Sequence, residues 1–246
     1  MRGRIYHIGL PKTGTTSIQH ILQEREDYIG VIQPRTRRQS QQYKTITNYI
    51  RKGDKIIEKD LPNEFIYSEE MICVNHEHNV VRKNLQRLCK LLRPCDAVVI
   101  TIRNEMKMKK SAYYEFYRFL RNKSLDQIND HPLMFPFERE NLYQIIPKDF
   151  AHQFYFSELE TGHKAFGDLI EMDLPKMMSQ KKKNQRKYDG NKIYVQSGDR
   201  PVINEIVLKF LDMITNPMLR LMGKKPNQFQ SIRRPTYTFI DPVDDF

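Results

Sequence analysis

Residues 11–17, P-K-T-G-T-T-S, put one cation, four hydroxyls and a glycine on consecutive positions. Such a set suits an anion. Lys12 brings a full positive charge, Thr13, Thr15 and Thr16 bring hydroxyl donors, and Gly14 allows close backbone approach. The β-rich run R-I-Y-H-I-G, residues 4–9, leads into this loop. After it, Ile18, Ile21 and Leu22 recur at i, i+3 and i+4, one face of a helix that Thr15 or Thr16 can cap. A strand passing through a loop into a helix N-terminus aims backbone N–H groups at one spot, where the dipole adds about half a positive charge. Gly9 and Gly14 have the separation of the glycines in G-x-x-x-x-G-K-[ST], but Lys12 stands before the second glycine. A nucleotide kinase needs that Lys after it, to reach the β- and γ-phosphates, and a carboxylate for Mg²⁺. The apolar run D-A-V-V-I-T-I-R, residues 96–103, ends in Arg103 rather than an acid, which disfavours ATP hydrolysis.

Other residues can do chemistry beside such a loop. Arg103 closes the strongest strand signal in the chain, and Ser111 follows eight residues later. A guanidinium and a hydroxyl suit a phosphate dianion. The run F-I-Y-S-E-E, residues 65–70, places Glu69 and Glu70 at another strand end. Either carboxylate can act as a general base, but neighbours on an extended segment face opposite ways, so one alone points into a site. His20, on the first helix, and His76, in the connection after the Glu pair, are weaker bases. The basic run K-K-K-N-Q-R-K, residues 181–187, and Arg35, Arg37 and Arg38 offer further anion contacts, or simply a solvated charged surface.

P-K-T-G-T-T-S followed by Arg103 and Ser111 resembles the two-part signature of sulfotransferases that use 3′-phosphoadenosine 5′-phosphosulfate (PAPS). The resemblance covers residues 4–17 and 64–117. It implies a P-loop-like α/β fold, with Lys12, Thr13, Gly14, Thr15, Thr16 and Ser17 around the 5′-phosphosulfate and Arg103 and Ser111 on the 3′-phosphate. It implies a reaction without a metal, in which Lys12 stabilises the leaving oxygen. S-E-E is similar to the pattern of bacterial-type members, which makes Glu69 the base and Glu70 the second choice. Many members carry a late basic loop over the cofactor, and Arg186 or Lys183 occupies that place here. Carbohydrate and tyrosyl-protein members often have a catalytic Glu about twenty residues after the loop; Gln33 stands near that point in this chain. The acceptor this implies is a hydroxyl on an anionic or neutral saccharide or glycoconjugate.

The positioning elements follow from the pattern of the chain. Strand and helix signals alternate: strands at 4–9, 65–67, 96–103 and 152–159, and helices from Thr15, at 77–92, 105–122 and 165–172. That rhythm predicts an α/β domain with a central parallel sheet flanked by helices. Residues 33–45 read as an exposed connection, 201–222 as one or two helices, and 223–246 as an irregular tail. The 246 residues form one domain on this reading, with no linker or repeat. Tyr113, Tyr114, Phe116 and Tyr117 are candidates to stack on a base or sugar, with some in the core. Net charge is +11, which favours anionic ligands. Three cysteines without a C-x-x-C pair argue against disulfides and zinc. No apolar run reaches membrane-spanning length and no signal peptide is evident, so a cytoplasmic setting is expected, compatible with peripheral membrane contact. The rival readings are a nucleotide-dependent kinase and a non-enzymatic polyanion binder. The chain shows no sequence signature of specific nucleic-acid recognition.

Overall fold

The computed structural model describes residues 3–10, 12–31, 36–56, 59, 61–70, 72–74 and 77–180, with strands at 188–189, 192–196 and 237–240. The chain, read from its sequence as one domain, divides into two compact units. One comprises 1–112, 123–185 and 246; the other comprises 113–122 and 186–245.

The first unit opens with β1 (Ile5–Gly9) and α1 (Thr15–Leu22). β2 (Tyr28–Gly30), α2 (Arg37–Lys52), β3 (Ile66–Glu69), α3 (His78–Cys89) and β4 (Ala97–Ile102) follow. Next come α4 (Glu105–Glu115), α5 (Tyr117–Leu120), α6 (Leu125–Asn129), α7 (Arg139–Ile145), β5 (Phe154–Glu158), α8 (Lys164–Ile170) and α9 (Leu174–Gln180). Of these, α5 belongs to the second unit, and α4 runs past the boundary at residue 112.

Strands β1 to β5 form one sheet in the order β2-β3-β1-β4-β5, and every pair is parallel. The fold class is therefore the expected one, an α/β sheet flanked by helices. β1, β3 and β4 are buried at every position, as parallel strands covered on both faces must be. The two sheet faces differ. Ile5, Ile66 and Val99 pack with Ile18, Ile21 and Leu22 of α1, Phe166 and Ile170 of α8 and Leu174 of α9. Tyr6, Ile8, Tyr67 and Val98 alternate with these residues and so fill the opposite face, where Tyr67 meets Tyr43 and Thr47 of α2.

Helix α2 corrects the expectation of an exposed connection over 33–45. Its start is fixed by a capping box between Thr36 and Gln39, and only Ile46 and Ile50 of its sixteen residues are buried. So narrow an apolar stripe leaves a mostly polar sequence that reads as a loop. At the opposite edge of the sheet from the strand C-termini, Asp96 is buried and accepts from the Arg4 and Arg93 backbone N–H groups at 2.8 and 2.9 Å. Arg93 also pairs with it at 2.9 Å, which ties the start of β4 to the start of β1.

In the second unit β6 (Tyr188–Asp189), β7 (Lys192–Gln196) and β8 (Tyr237–Ile240) form an antiparallel sheet. β8 lies inside 223–246, so that stretch is not irregular throughout. Tyr113 packs edge-on against Tyr114 and Tyr117, at 5.6 and 5.7 Å between ring centroids. The expected helices over 201–222 lie outside the described residues. Among the described residues no helix is long and apolar enough to cross a membrane.

Candidate active site

The parallel register sets the site. Gly9 ends β1, Glu69 ends β3 on one side of it, and Arg103 follows β4 on the other. Neighbouring strands lie about 4.8 Å apart, so the three chain segments leave the same edge of the sheet side by side. In open α/β sheets ligands bind outside the strand C-termini, where successive connections diverge. Here β2 and β3 lie to one side of β1, and β4 and β5 to the other.

The loop after β1 is tightly built. Lys12 and Gly14 both hold left-handed backbone, with φ of 67° and 80°. For Lys12 this is strained, at roughly 1–2 kcal/mol. Gly14, not Thr15 or Thr16, is the N-cap of α1, and no side chain caps the helix. The first helical hydrogen bond runs from Ile18 N–H to the Gly14 carbonyl at 3.1 Å. The N–H groups of Thr15, Thr16 and Ser17 thus precede the helical ladder, as expected at a helix N-terminus. Gly9 has a separate reason to be glycine: a Cβ there would come within 2.1 Å of Thr15 Oγ1.

The hydroxyls of Thr13 and Thr15, read from the sequence as donors to an anion, are turned into the protein. Both side chains are buried. Thr13 Oγ1 donates to the Leu10 carbonyl at 2.6 Å and lies 3.0 Å from Thr101 Oγ1 and 3.2 Å from Thr15 Oγ1. Thr15 Oγ1 also reaches the Leu10 carbonyl, at 3.3 Å. These two threonines brace the loop from beneath, their hydroxyls engaged within the protein. Lys12, Gly14, Thr16 and Ser17 are partly exposed.

Beneath the loop lies a buried polar floor that the sequence did not announce. His7 Nδ1 lies 2.8 Å from Ser68 Oγ, which also accepts from Gln19 Nε2 at 3.1 Å. His7 Nε2 lies 3.4 Å from Thr101 Oγ1, and the ring packs on Phe166 with centroids 4.8 Å apart. Burial, and then His163, push the His7 imidazole down to about 3. His163 is itself fully buried, at the junction between β5 and α8, with left-handed backbone (φ 61°). Its Nε2 lies 2.7 Å from the Thr13 carbonyl and its Nδ1 3.0 Å from the Ser157 carbonyl. Burial lowers this imidazole below its ordinary range, against the opposing pull of both carbonyls and of Glu160. A histidine 150 residues from the loop, in no motif, carries no signal by which sequence could assign it there.

Glu69 is buried and accepts a hydrogen bond from the Tyr43 hydroxyl. Tyr43 stacks on Tyr67 and its hydroxyl is pushed upward, first by burial and then by Glu69. It sits within the stretch read as a loop, which is why it was missed. Glu70 follows β3 and is partly exposed. Arg103 is the cation of the other flank. Its Nε is buried and makes no hydrogen bond, and the Glu160 carboxylate lies 3.7 Å from it. Glu160 also accepts from the Asn104 N–H at 3.2 Å. Arg103 and Glu160 line a cavity of about 390 Å³ with Met108, Phe137, Arg139 and Glu158. Ser111 lies within α4, about 9 Å along its axis from the first residue by helical rise. Lys109, on the same helix, is taken up by Glu138 at 2.6 Å and Glu105 at 3.2 Å. His20 stands in the last turn of α1, away from the loop end of that helix. Gln33, Arg35, His76, Lys183 and Arg186 lie outside the described residues.

No family model matches the chain, and no curated protein does. Solved structures do. A sulfotransferase from Alicyclobacillus acidocaldarius aligns over 94% of this chain and 99% of its own, at 10% identity and a TM-score of 0.38. A gluconokinase from Sinorhizobium meliloti 1021 aligns over 73% of this chain and 94% of its own, at 9% identity and a TM-score of 0.32. Both similar proteins are enzymes, and at these scores neither likeness distinguishes one chemistry from the other.

Proposed function

We propose that this protein transfers a sulfuryl group from PAPS to a hydroxyl of a carbohydrate or glycoconjugate. The observation that carries the reading is the Arg103 guanidinium. It has a buried Nε without a hydrogen bond, one strand away from a helix-capped loop that presents Lys12. Leaving a buried donor unmet costs about 1–3 kcal/mol, and an oxygen of a 3′-phosphate is the acceptor that would meet it. The donor residues present thus fit a nucleotide with anionic groups at two ends, on Lys12 and on Arg103. When bound, PAPS supplies the activated sulfuryl group on a phosphate leaving group.

The chain's own residues do the rest. Lys12 stabilises negative charge that develops on the leaving oxygen, and N–H groups at the start of α1 hold the adjacent oxygens. Arg103 fixes the 3′-phosphate, with Ser111 as a further donor from α4. Glu69 takes the proton of the acceptor hydroxyl, and Tyr43 holds that carboxylate in place. The surface of net charge +11 draws in anionic acceptors.

Transfer of radiolabelled sulfate from PAPS to a panel of saccharides, with products read by mass, tests the reading. Label in a saccharide product, lost in a Lys12→Ala variant, is the expected result. Phosphorylation of the same panel with ATP–Mg²⁺, and no sulfate transfer, would replace it with a kinase.

A further inference from the structure

The peptide bond between Thr13 and Gly14 has one end held from outside the loop. The fully buried His163 places Nε2 2.7 Å from the Thr13 carbonyl oxygen. A carbonyl oxygen can only accept, and a neutral imidazole has a single N–H; the shorter of its two carbonyl contacts, the one from Nε2 to Thr13, takes it. The bond is trans, as are all the described peptide bonds. In a planar trans peptide the C=O and the following N–H point in opposite directions. Drawing the Thr13 carbonyl down to His163 therefore turns the Gly14 N–H up, away from the protein interior. Lys12 and Gly14, on either side of Thr13, both have positive φ, which is strained at Lys12. His163 is fixed in turn by its own backbone N–H, which donates to the Glu158 carbonyl at 2.9 Å, with Nδ1 lying 3.0 Å from the Ser157 carbonyl. Ser157 also receives the Phe166 N–H on its hydroxyl at 3.1 Å, so the clamp is anchored where β5 passes into α8.

We propose that His163 is a positioning residue of the anion loop: it sets the Thr13–Gly14 peptide plane so that the Gly14 N–H donates to the bound anion. This rests on the reading of the Lys12 loop as an anion site. It adds to that site a residue from the far end of the first unit, one that touches the loop and not the ligand.

The test uses the full chain with two probes, inorganic pyrophosphate and 3′,5′-phosphoadenosine. In ¹⁵N-labelled wild type, either probe should move the Gly14 amide resonance downfield, as a new hydrogen bond does. His163→Leu, which keeps bulk but removes the donor, should weaken both probes about tenfold, the loss of one oriented hydrogen bond. His163→Gln, which can present an N–H at similar reach, should restore binding to within a few fold. A merely structural histidine would show equal losses in the two variants, in proportion to their loss of thermal stability. Wild-type binding that leaves the Gly14 amide unmoved overturns the proposal, and so does a folded His163→Leu protein with unchanged affinity. Should that variant fail to fold, the wild-type amide and His163→Gln decide alone. The nucleotide reading fails separately if pyrophosphate shows all these effects while 3′,5′-phosphoadenosine binds no better than 5′-AMP. If neither probe binds wild type, both fall.

Discussion

On the proposed reading Lys12, Glu69 and Arg103 carry the chemistry, and each can be removed by itself. Lys12→Ala should lower kcat by about 10²–10³-fold, the worth of one donor to a developing oxyanion, with nucleotide affinity less affected. Single-turnover rates at saturating donor measure this, and an unchanged rate would remove Lys12 from the mechanism. Glu69→Gln should lower kcat by about 10²–10⁴-fold while the nucleotide still binds. If Glu70→Gln does so instead, the base is the partly exposed neighbour. His7 gives a prediction about stability. Its folded pKa, about 3, lies below the ordinary 6.5. The unfolded chain therefore binds more protons, and stability rises with pH. Above pH 6.5 this group imposes no penalty. As pH falls from 6.5 toward 3, it removes about 1.4 kcal/mol of stability per pH unit. Urea unfolding from pH 7 to 4.5 should show a slope one proton shallower in His7→Asn than in wild type; equal slopes would mean that His7 is not held neutral.

The elements explain why some of this was legible and some was not. Buried parallel strands write their burial into sequence, so β1 and β4 stand out as apolar runs, and the loop and Arg103 are found at their ends. β3 is short, but its end still marks Glu69. Helix α2 is mostly polar, so Tyr43 and its contact with Glu69 stayed hidden. The inward turn of the Thr13 and Thr15 hydroxyls was hidden too, because a loop motif gives residue types and not the direction in which side chains point. His163 reaches the loop only through the packing of the β5–α8 junction, a long-range contact that no local pattern records. The turn before α8 also bears on Arg103, since Glu160 stands where an anion would compete for the guanidinium. Arg103→Ala should weaken 3′,5′-phosphoadenosine by tenfold or more and barely alter 5′-AMP. Glu160→Gln should act in the opposite direction and tighten 3′,5′-phosphoadenosine. Calorimetric titration of both variants checks the pair of effects, and equal losses for both ligands in Arg103→Ala would contradict a 3′-phosphate contact.

Across the first unit, the sheet order puts the Lys12 loop, Glu69 and Arg103 on three adjacent segments at one edge, with the Asp96 clamp at the other. The chain carries a net charge of +11. If the acceptor is anionic, its KM should rise with ionic strength, because screening shortens the reach of that field to about 10 Å at 0.1 M salt. The same assay with a neutral acceptor should show little salt dependence. Whether PAPS is the donor can be measured without finding the acceptor. Calorimetric titration of the wild-type chain with 3′,5′-phosphoadenosine, 5′-AMP and ATP–Mg²⁺ tests it most directly. 3′,5′-Phosphoadenosine is expected to bind tightest of the three. Tighter binding of ATP–Mg²⁺, with no preference for 3′,5′-phosphoadenosine over 5′-AMP, would contradict it.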